Sequence, residues 1–279
     1  MHRIGQVLGV GMGTPLATRS GSGVAVSGPV SFVRYAFPPN FHGACGPADF
    51  RGLFEHGANA VAGPGLRDLA RQFAGAWPYL ELIAAATGVR DPLDRRVVEA
   101  YWVGNRLLDR VGAGPLGNSM DDRFRLRVGG QFSALAEAAV AGGMPHHSYH
   151  VFCIYPWVGL LGDDRRYEQA LAVLDRCRVR WGKVRQVLPA QLVVESQPLL
   201  FEHGTLFLGA PRLETVERTL DGVGLVSGFV PGDWVSMHWE WVCDRLSGRQ
   251  LAALRHYTRV HLDIVNNRLD HPGAITALG

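Results

Sequence analysis

The spacing of apolar residues changes at Cys177, and that change constrains the fold more than any single motif. Upstream, apolar residues recur every three to four positions, the repeat of a helix with one buried face. Leu66, Leu69, Ala70, Phe73, Trp77, Leu80, Ile83 and Ala84 keep this beat, with Pro78 expected to kink or split the helix. Asp91-Pro92 offers an N-cap and a first-turn proline for a second helix carrying Val97, Val98, Tyr101, Leu108 and Val111. Ser119 and Asp122 are spaced as a capping box for a third, and Tyr167 to Leu174 forms a short helix that runs into Cys177. Downstream, the period falls toward two, the mark of strands that are buried on one side.

Val184–Leu188, Gln191–Glu195, Leu206–Leu208, Leu225–Phe229 and Trp234–Val242 read as strands. They are separated by turns at Pro189-Ala190, His203-Gly204, Asp221-Gly222 and Pro231-Gly232-Asp233. About five short strands at this spacing suggest a small barrel of the OB type. Ser247 and Gln250 then cap a final helix with Leu251, Leu254, Tyr257, Leu262 and Val265 on one face. The expected class is α+β, with an all-helical N-terminal domain, an OB-like β-barrel and a C-terminal helix. Residues 1–30, rich in Gly and Ser, read as a disordered leader. The helical domain follows over 31–175, the barrel over 176–246, and the last helix and tail over 247–279.

Composition narrows the function classes. A chain of 279 residues with 47% hydrophobic and 19% charged residues can bury a sizeable core. The net charge of +3 is spread too thinly for a nucleic-acid surface, and Lys183 is the only lysine. Four cysteines without a CxxC pair suit reduced thiols and a cytoplasmic setting, and no segment reads as a membrane span.

Two pieces of the barrel region carry chemistry. Cys177-Arg178-Val179-Arg180-Trp181-Gly182-Lys183-Val184 sets a thiol ahead of the first strand, and Gly232-Asp233-Trp234-Val235-Ser236-Met237-His238 sets an imidazole on a later one. Thiolate and imidazole together suit a soft metal ion or metal fragment. The pair of motifs resembles the HypC/HupF family of hydrogenase-maturation chaperones, and it covers the last quarter to third of the chain. The resemblance implies that Cys177 and His238 bind an iron fragment bearing cyanide and carbonyl ligands. The partner would be a maturation protein or the large-subunit precursor of a nickel–iron hydrogenase. Gly182 would allow a sharp entry into the first strand, and Gly232-Asp233 would make the turn that aims His238. In this chain the cysteine is internal, and the stretch between the motifs is long, with extra length expected around Pro198 to Leu220. The whole chain also resembles an uncharacterised actinobacterial family associated with nickel–iron hydrogenase gene neighbourhoods.

A second cluster lies in His146-His147-Ser148-Tyr149-His150-Val151-Phe152-Cys153. If helical, the run puts His146 and His150 on one face with Cys153 within reach, a set that could hold zinc or iron. If extended, it puts His146, Ser148 and His150 on one side. A third cluster is Cys45 ahead of Gly46-Pro47, which reads either as a thiol at a helix start or as a turn with a buried cysteine. The expectation is therefore an assembly protein rather than an enzyme. The alternatives are a metal-dependent enzyme centred on His146, His150 and Cys153, or a protein-interaction module without metal.

Overall fold

The computed structural model describes residues 26–112, 142–163 and 165–269. The helical part opens with α1 (Gly28–Phe41) and α2 (Phe50–Ala58), followed by α3 (Pro64–Arg71), α4 (Trp77–Thr87) and α5 (Arg95–Trp102). A single helical turn, His147–Tyr149, runs into a π-helical turn, His150–Ile154, and α6 spans Tyr167–Cys177. Seven strands follow: β1 (Arg180–Val187), β2 (Gln191–Ser196), β3 (Leu199–Glu202), β4 (Thr205–Leu208), β5 (Arg212–Glu217), β6 (Trp234–His238) and β7 (Trp241–Arg245). Helix α7 (Gly248–Leu269) closes the described chain.

Five strands close into a barrel in the order β1-β2-β5-β7-β6, with β6 returning to β1 through Arg180↔Met237 to Lys183↔Trp234. Every pairing is antiparallel except β5 with β7, which run parallel at Glu217↔Trp241. The barrel is filled by Val184, Leu192, Val194, Val216, Phe229, Val235, Met237 and Val242. Strands β3 and β4 form a separate two-stranded hairpin within the stretch where extra length is expected. Their Leu199 and Leu206 pack with Leu174 of α6 and Leu262 and Val265 of α7. Arg178 and the Leu199 amide both bond Asp175, which ties this hairpin to the end of α6.

The helical part and the barrel share a core. Phe37 of α1 meets the Trp241 ring edge-on at 5.1 Å, and one apolar cluster joins Tyr35, Trp102 and Tyr101 to Trp181, Trp241, Cys243 and Tyr257. Period two explains the join. Val235 and Met237 fill the barrel, so Ser236 and His238 leave β6 on its outer side and meet α1. No described helix is long and apolar enough to cross a membrane.

The α+β class and its three-part order match expectation, and several details differ. Helix α1 starts at Gly28, inside the stretch read as leader, because Val30, Phe32 and Val33 supply a buried face there. The helical beat over 66–84 is carried by two helices that break at 72–76, and Pro78 occupies the first turn of α4, where its missing N–H costs nothing. Asp94, not Asp91, caps α5 by accepting from the Arg96 amide, while Asp91 accepts from Leu93 N in the preceding turn. Leu108 and Val111 fall after α5, Leu108 in a short 3-10 turn. The capping box at Ser119 and Asp122 lies outside the described residues.

Leu225–Phe229 is not a strand. Gly228 takes φ +72°, and Leu225 turns away to pack against Gly57 and Val33. The predicted Trp234–Val242 strand is two strands, folded at Trp239-Glu240. Strand β5 was not expected: Arg212 and Leu213 are exposed, and Val216 is its one buried apolar residue. Ser247 and Gln250 cap α7 reciprocally, with Ser247 N donating to Gln250 Oε1 at 3.0 Å and Gln250 N to Ser247 Oγ at 3.3 Å.

Candidate metal centre

The seam between barrel and helices carries the densest chemistry. Cys177 is the last residue of α6, and His238 is the last of β6. The turn after His238 fixes their approach. Trp239 N donates to the Arg176 carbonyl at 2.7 Å, and Arg180, held on Glu214 through two bonds of 2.9 and 2.7 Å, also reaches the Trp239 carbonyl. Arg176 and His42 both meet Glu240 at 3.0 Å. Trp239 sits at φ +52°, a left-handed conformation that costs a non-glycine residue roughly 1–3 kcal/mol and persists only where its surroundings over-determine it. That strained residue directly follows the imidazole.

Gly232 adopts φ +98°, which a β-carbon would resist, so the turn ahead of β6 needs a glycine. Gly232 N donates to the Val184 carbonyl at 2.8 Å, and Val184 N donates to that of Asp233 at 2.9 Å, which pins the turn to β1. Gly182 has a different role from the one expected. It lies inside β1, and a β-carbon there would stand 3.0 Å from the Met237 methyl, so its bareness makes room within the barrel.

Cys177 and His238 meet, and a third residue joins them. One ligating atom from each of His147, Cys177 and His238 lies within 4.8 Å of the other two, the one such group among the described residues. His147 comes from the single helical turn. The two imidazole centroids are 4.9 Å apart, and the Trp102 indole packs on both, at 4.6 Å from His147 and 5.5 Å from His238. His238 and His147 are 1% and 5% exposed, so the pair is shut away from bulk water.

Hydrogen bonds set the tautomers. His238 Nδ1 lies 2.7 Å from the Tyr35 carbonyl, which can only accept, so Nδ1 carries the proton and Nε2 keeps a lone pair. That Nε2 is buried and makes no hydrogen bond of good geometry, although the Cys177 carbonyl lies close enough to the ring to favour its protonation. A carbonyl behind one ring nitrogen and a bare lone pair on the other is the arrangement metal-ligating histidines adopt. His147 Nε2 lies 2.7 Å from the Cys177 carbonyl and therefore donates, while its Nδ1 is 3.2 Å from the Tyr101 hydroxyl.

Burial dominates the acid–base properties. It pushes His147 down to about 4 and His238 well below the usual imidazole range, with His147 a further cause for His238, so both rings are neutral at pH 7. Burial pushes the Cys177 thiol upward, and Cys45 nearby adds to this. A metal cation binding here would replace the thiol proton and release it.

The sequence-predicted set divides. Cys177 and His238 are brought together, whereas His146, His150 and Cys153 are not. His146 turns to Ser148 Oγ at 2.8 Å, which also sits 2.7 Å from His261 Nδ1. His150 faces the Tyr79 hydroxyl at 3.4 Å, and Cys153 Sγ points to the His261 carbonyl at 3.8 Å. The reason is local. His146 is the extended N-cap of the helical turn and accepts from the Ser148 amide, which draws its ring away from His150, and the π-turn that starts at His150 takes Cys153 out of the helical register. Cys45 belongs to the exposed loop between α1 and α2 and starts no helix; Asp49 caps α2.

Residues 24–272 match the family described as "Family of unknown function (DUF6390)". The chain belongs to that family. No curated protein and no solved structure matches it. The matched region takes in the helical part, the barrel and α7, so it contains all three residues of the centre.

Proposed function

We propose that this protein is a nickel–iron hydrogenase assembly protein that holds an iron fragment bearing cyanide and carbonyl ligands at Cys177 and His238. The observation that carries the reading is the convergence of these two side chains in a buried pocket, with the His238 Nε2 lone pair unpartnered. An electron-rich, low-spin iron favours thiolate and imidazole donors, and a carrier needs few enough of them to let its cargo go. The closed five-stranded barrel and the two motifs at its seam support the same reading. The partner on this view is the large-subunit precursor or a maturation protein, met in the cytoplasm, and the helical part supplies the docking surface.

The test is co-purification with a hydrogenase large-subunit precursor, followed by infrared spectroscopy of the isolated complex. The reading expects association together with cyanide and carbonyl stretching bands, both lost in Cys177→Ala. Absence of bands and of association, with Cys177→Ala still supporting hydrogenase activity, would remove it.

A further inference from the structure

We propose that His147 is the third protein donor of this centre, so that the helical part and the barrel each supply ligands to one soft or borderline metal. The inference rests on the reading of Cys177 and His238 as metal donors and is independent of the hydrogenase assignment.

Three donors bound to one metal at ordinary zinc or iron distances stand roughly 3.5 Å from one another. The three ligating atoms here already lie within 4.8 Å. Closing the remaining gap takes side-chain adjustments of about an ångström, less than a rotamer change. The donor set of one thiol and two neutral imidazoles is borderline to soft, which suits zinc, iron or copper and disfavours magnesium or calcium.

Independent observations point to a ligand. His238 Nε2 is buried with no hydrogen-bond partner, and so is Trp102 Nε1, whose ring packs against both imidazoles. A buried polar atom left unmade costs about 1–3 kcal/mol. His146 and His261 also have an unpartnered Nε2, so what singles out this cluster is that its bare nitrogen converges with a thiol and a second imidazole; coordination satisfies the lone pair, and the indole N–H can meet a polar group carried by the metal.

His147 differs from the other two donors in one respect. Both of its nitrogens are engaged, one with the Cys177 carbonyl and one with the Tyr101 hydroxyl. Binding metal exchanges one of those hydrogen bonds for a coordinate bond, and release restores it. Tyr101 already has a second acceptor in the Gly75 carbonyl at 2.8 Å. His147 is therefore an exchangeable donor beside two committed ones, and the two halves of the chain are joined more firmly when metal is bound.

Cobalt(II) titration of the full chain tests this, because the thiolate charge-transfer band reports Cys177 and the intensity of the visible bands reports coordination number. The wild type is expected to bind one equivalent with both signals. His147→Ala and His147→Gln are expected to keep the thiolate band, lose visible intensity and bind about ten- to a hundredfold more weakly. The Gln variant preserves a donor to the Cys177 carbonyl and so guards against misfolding. His146→Ala, one residue away, is expected to leave the spectrum unchanged. Wild-type affinity and band shape in folded His147→Gln would overturn the proposal, as would a wild type that binds no cobalt. Cobalt binding through all three residues, without any association with a hydrogenase precursor, would keep this inference and remove the hydrogenase reading.

Discussion

His146 and His147 are neighbours in sequence, and they serve two different clusters. His147 faces Cys177 and His238 across the seam with the barrel, while His146 faces Ser148 and His261 between the helical turn and α7. Both clusters are buried and polar, and burial lowers the affinity of every imidazole in them for protons. They differ in where the nitrogens converge. In the Ser148 cluster, two Nδ1 atoms close on one hydroxyl at 2.8 and 2.7 Å, and the Ser148 amide also donates to His146 Nδ1 at 3.1 Å. The Nε2 atoms of these two rings have no hydrogen-bond partner, as in His238, but they do not converge with a third ligating group. In the Cys177 cluster, a carbonyl behind His238 leaves its lone pair facing a thiol and a second imidazole. Neither the histidine count nor a bare ring nitrogen separates the two clusters; the convergence of three ligating atoms does.

The largest effect is expected under acid, where both clusters act in the same sense and single substitutions apportion it. Burial, followed by the neighbouring His256, lowers His261 to about 3, against about 6.5 for an ordinary imidazole. The folded state keeps His261 neutral while the unfolded chain takes up a proton, so its contribution is complete above pH 6.5 and drains away as pH falls toward 3. His146 and Cys153 pack beside it, and His146 titrates in the same sense. Denaturant midpoints measured from pH 7.5 to 4 should fall by an amount equal to several kcal/mol, and less steeply in His261→Gln. A flat profile in the wild type would contradict the buried, neutral assignment.

Cys177→Ala comes next. It should abolish the thiolate-to-cobalt band and most metal affinity while leaving the Ser148 cluster and its acid sensitivity intact. A retained band would place the thiolate elsewhere. Ser148→Ala should do the reverse, lowering stability by about 1–3 kcal/mol because two imidazoles lose their shared partner, with metal stoichiometry unchanged. Equal metal loss in Ser148→Ala would merge the two clusters into one functional unit. The smallest effect belongs to Tyr101→Phe, which removes a hydroxyl lying 2.8 Å from Gly75 O and 3.2 Å from His147 Nδ1. Thermal melts should register a loss of about 1 kcal/mol, and cobalt affinity should stay the same or rise as His147 is released from a competitor. Weaker cobalt binding in this variant would mean that Tyr101 positions His147 instead of competing for it.

Legibility followed the range of the interaction. Helix α6 ending at Cys177, the Ser247–Gln250 cap and the apolar face of α7 are written in contacts three or four residues apart, and each was readable. Strand β5 was hidden because its outer positions carry Arg, Glu and an exposed leucine, so polarity masked the alternation. Leu225–Phe229 misled in the other direction, since Leu225 packs on the helices and Phe229 fills the barrel without the segment pairing as a strand. The Cys177–His238 pair was recoverable because both ends sit in extended motifs of several residues. His147 was passed over for His146 and His150, which a regular helix would align. The one signal available was its place in the same run, and nothing in the spacing marked His146 as the N-cap that turns away and leaves His147 facing the barrel.

By itself, the sequence determined that a helical region gives way at Cys177 to short strands, and that a thiol and an imidazole lie at matching edges of those strands. Those are properties of local periodicity and short turns, encoded within a few residues of where they act. The tertiary structure alone decided which histidine stands beside Cys177 and His238, because His147 reaches Cys177 only after the helical turn is packed between α5 and the end of α6. It also decided that His238 presents a bare Nε2, since that depends on a carbonyl of Tyr35 about two hundred residues away. Tautomer, burial and convergence are set by long-range packing, where side chains distant in sequence share one dry pocket, and no local pattern of residues carries that information.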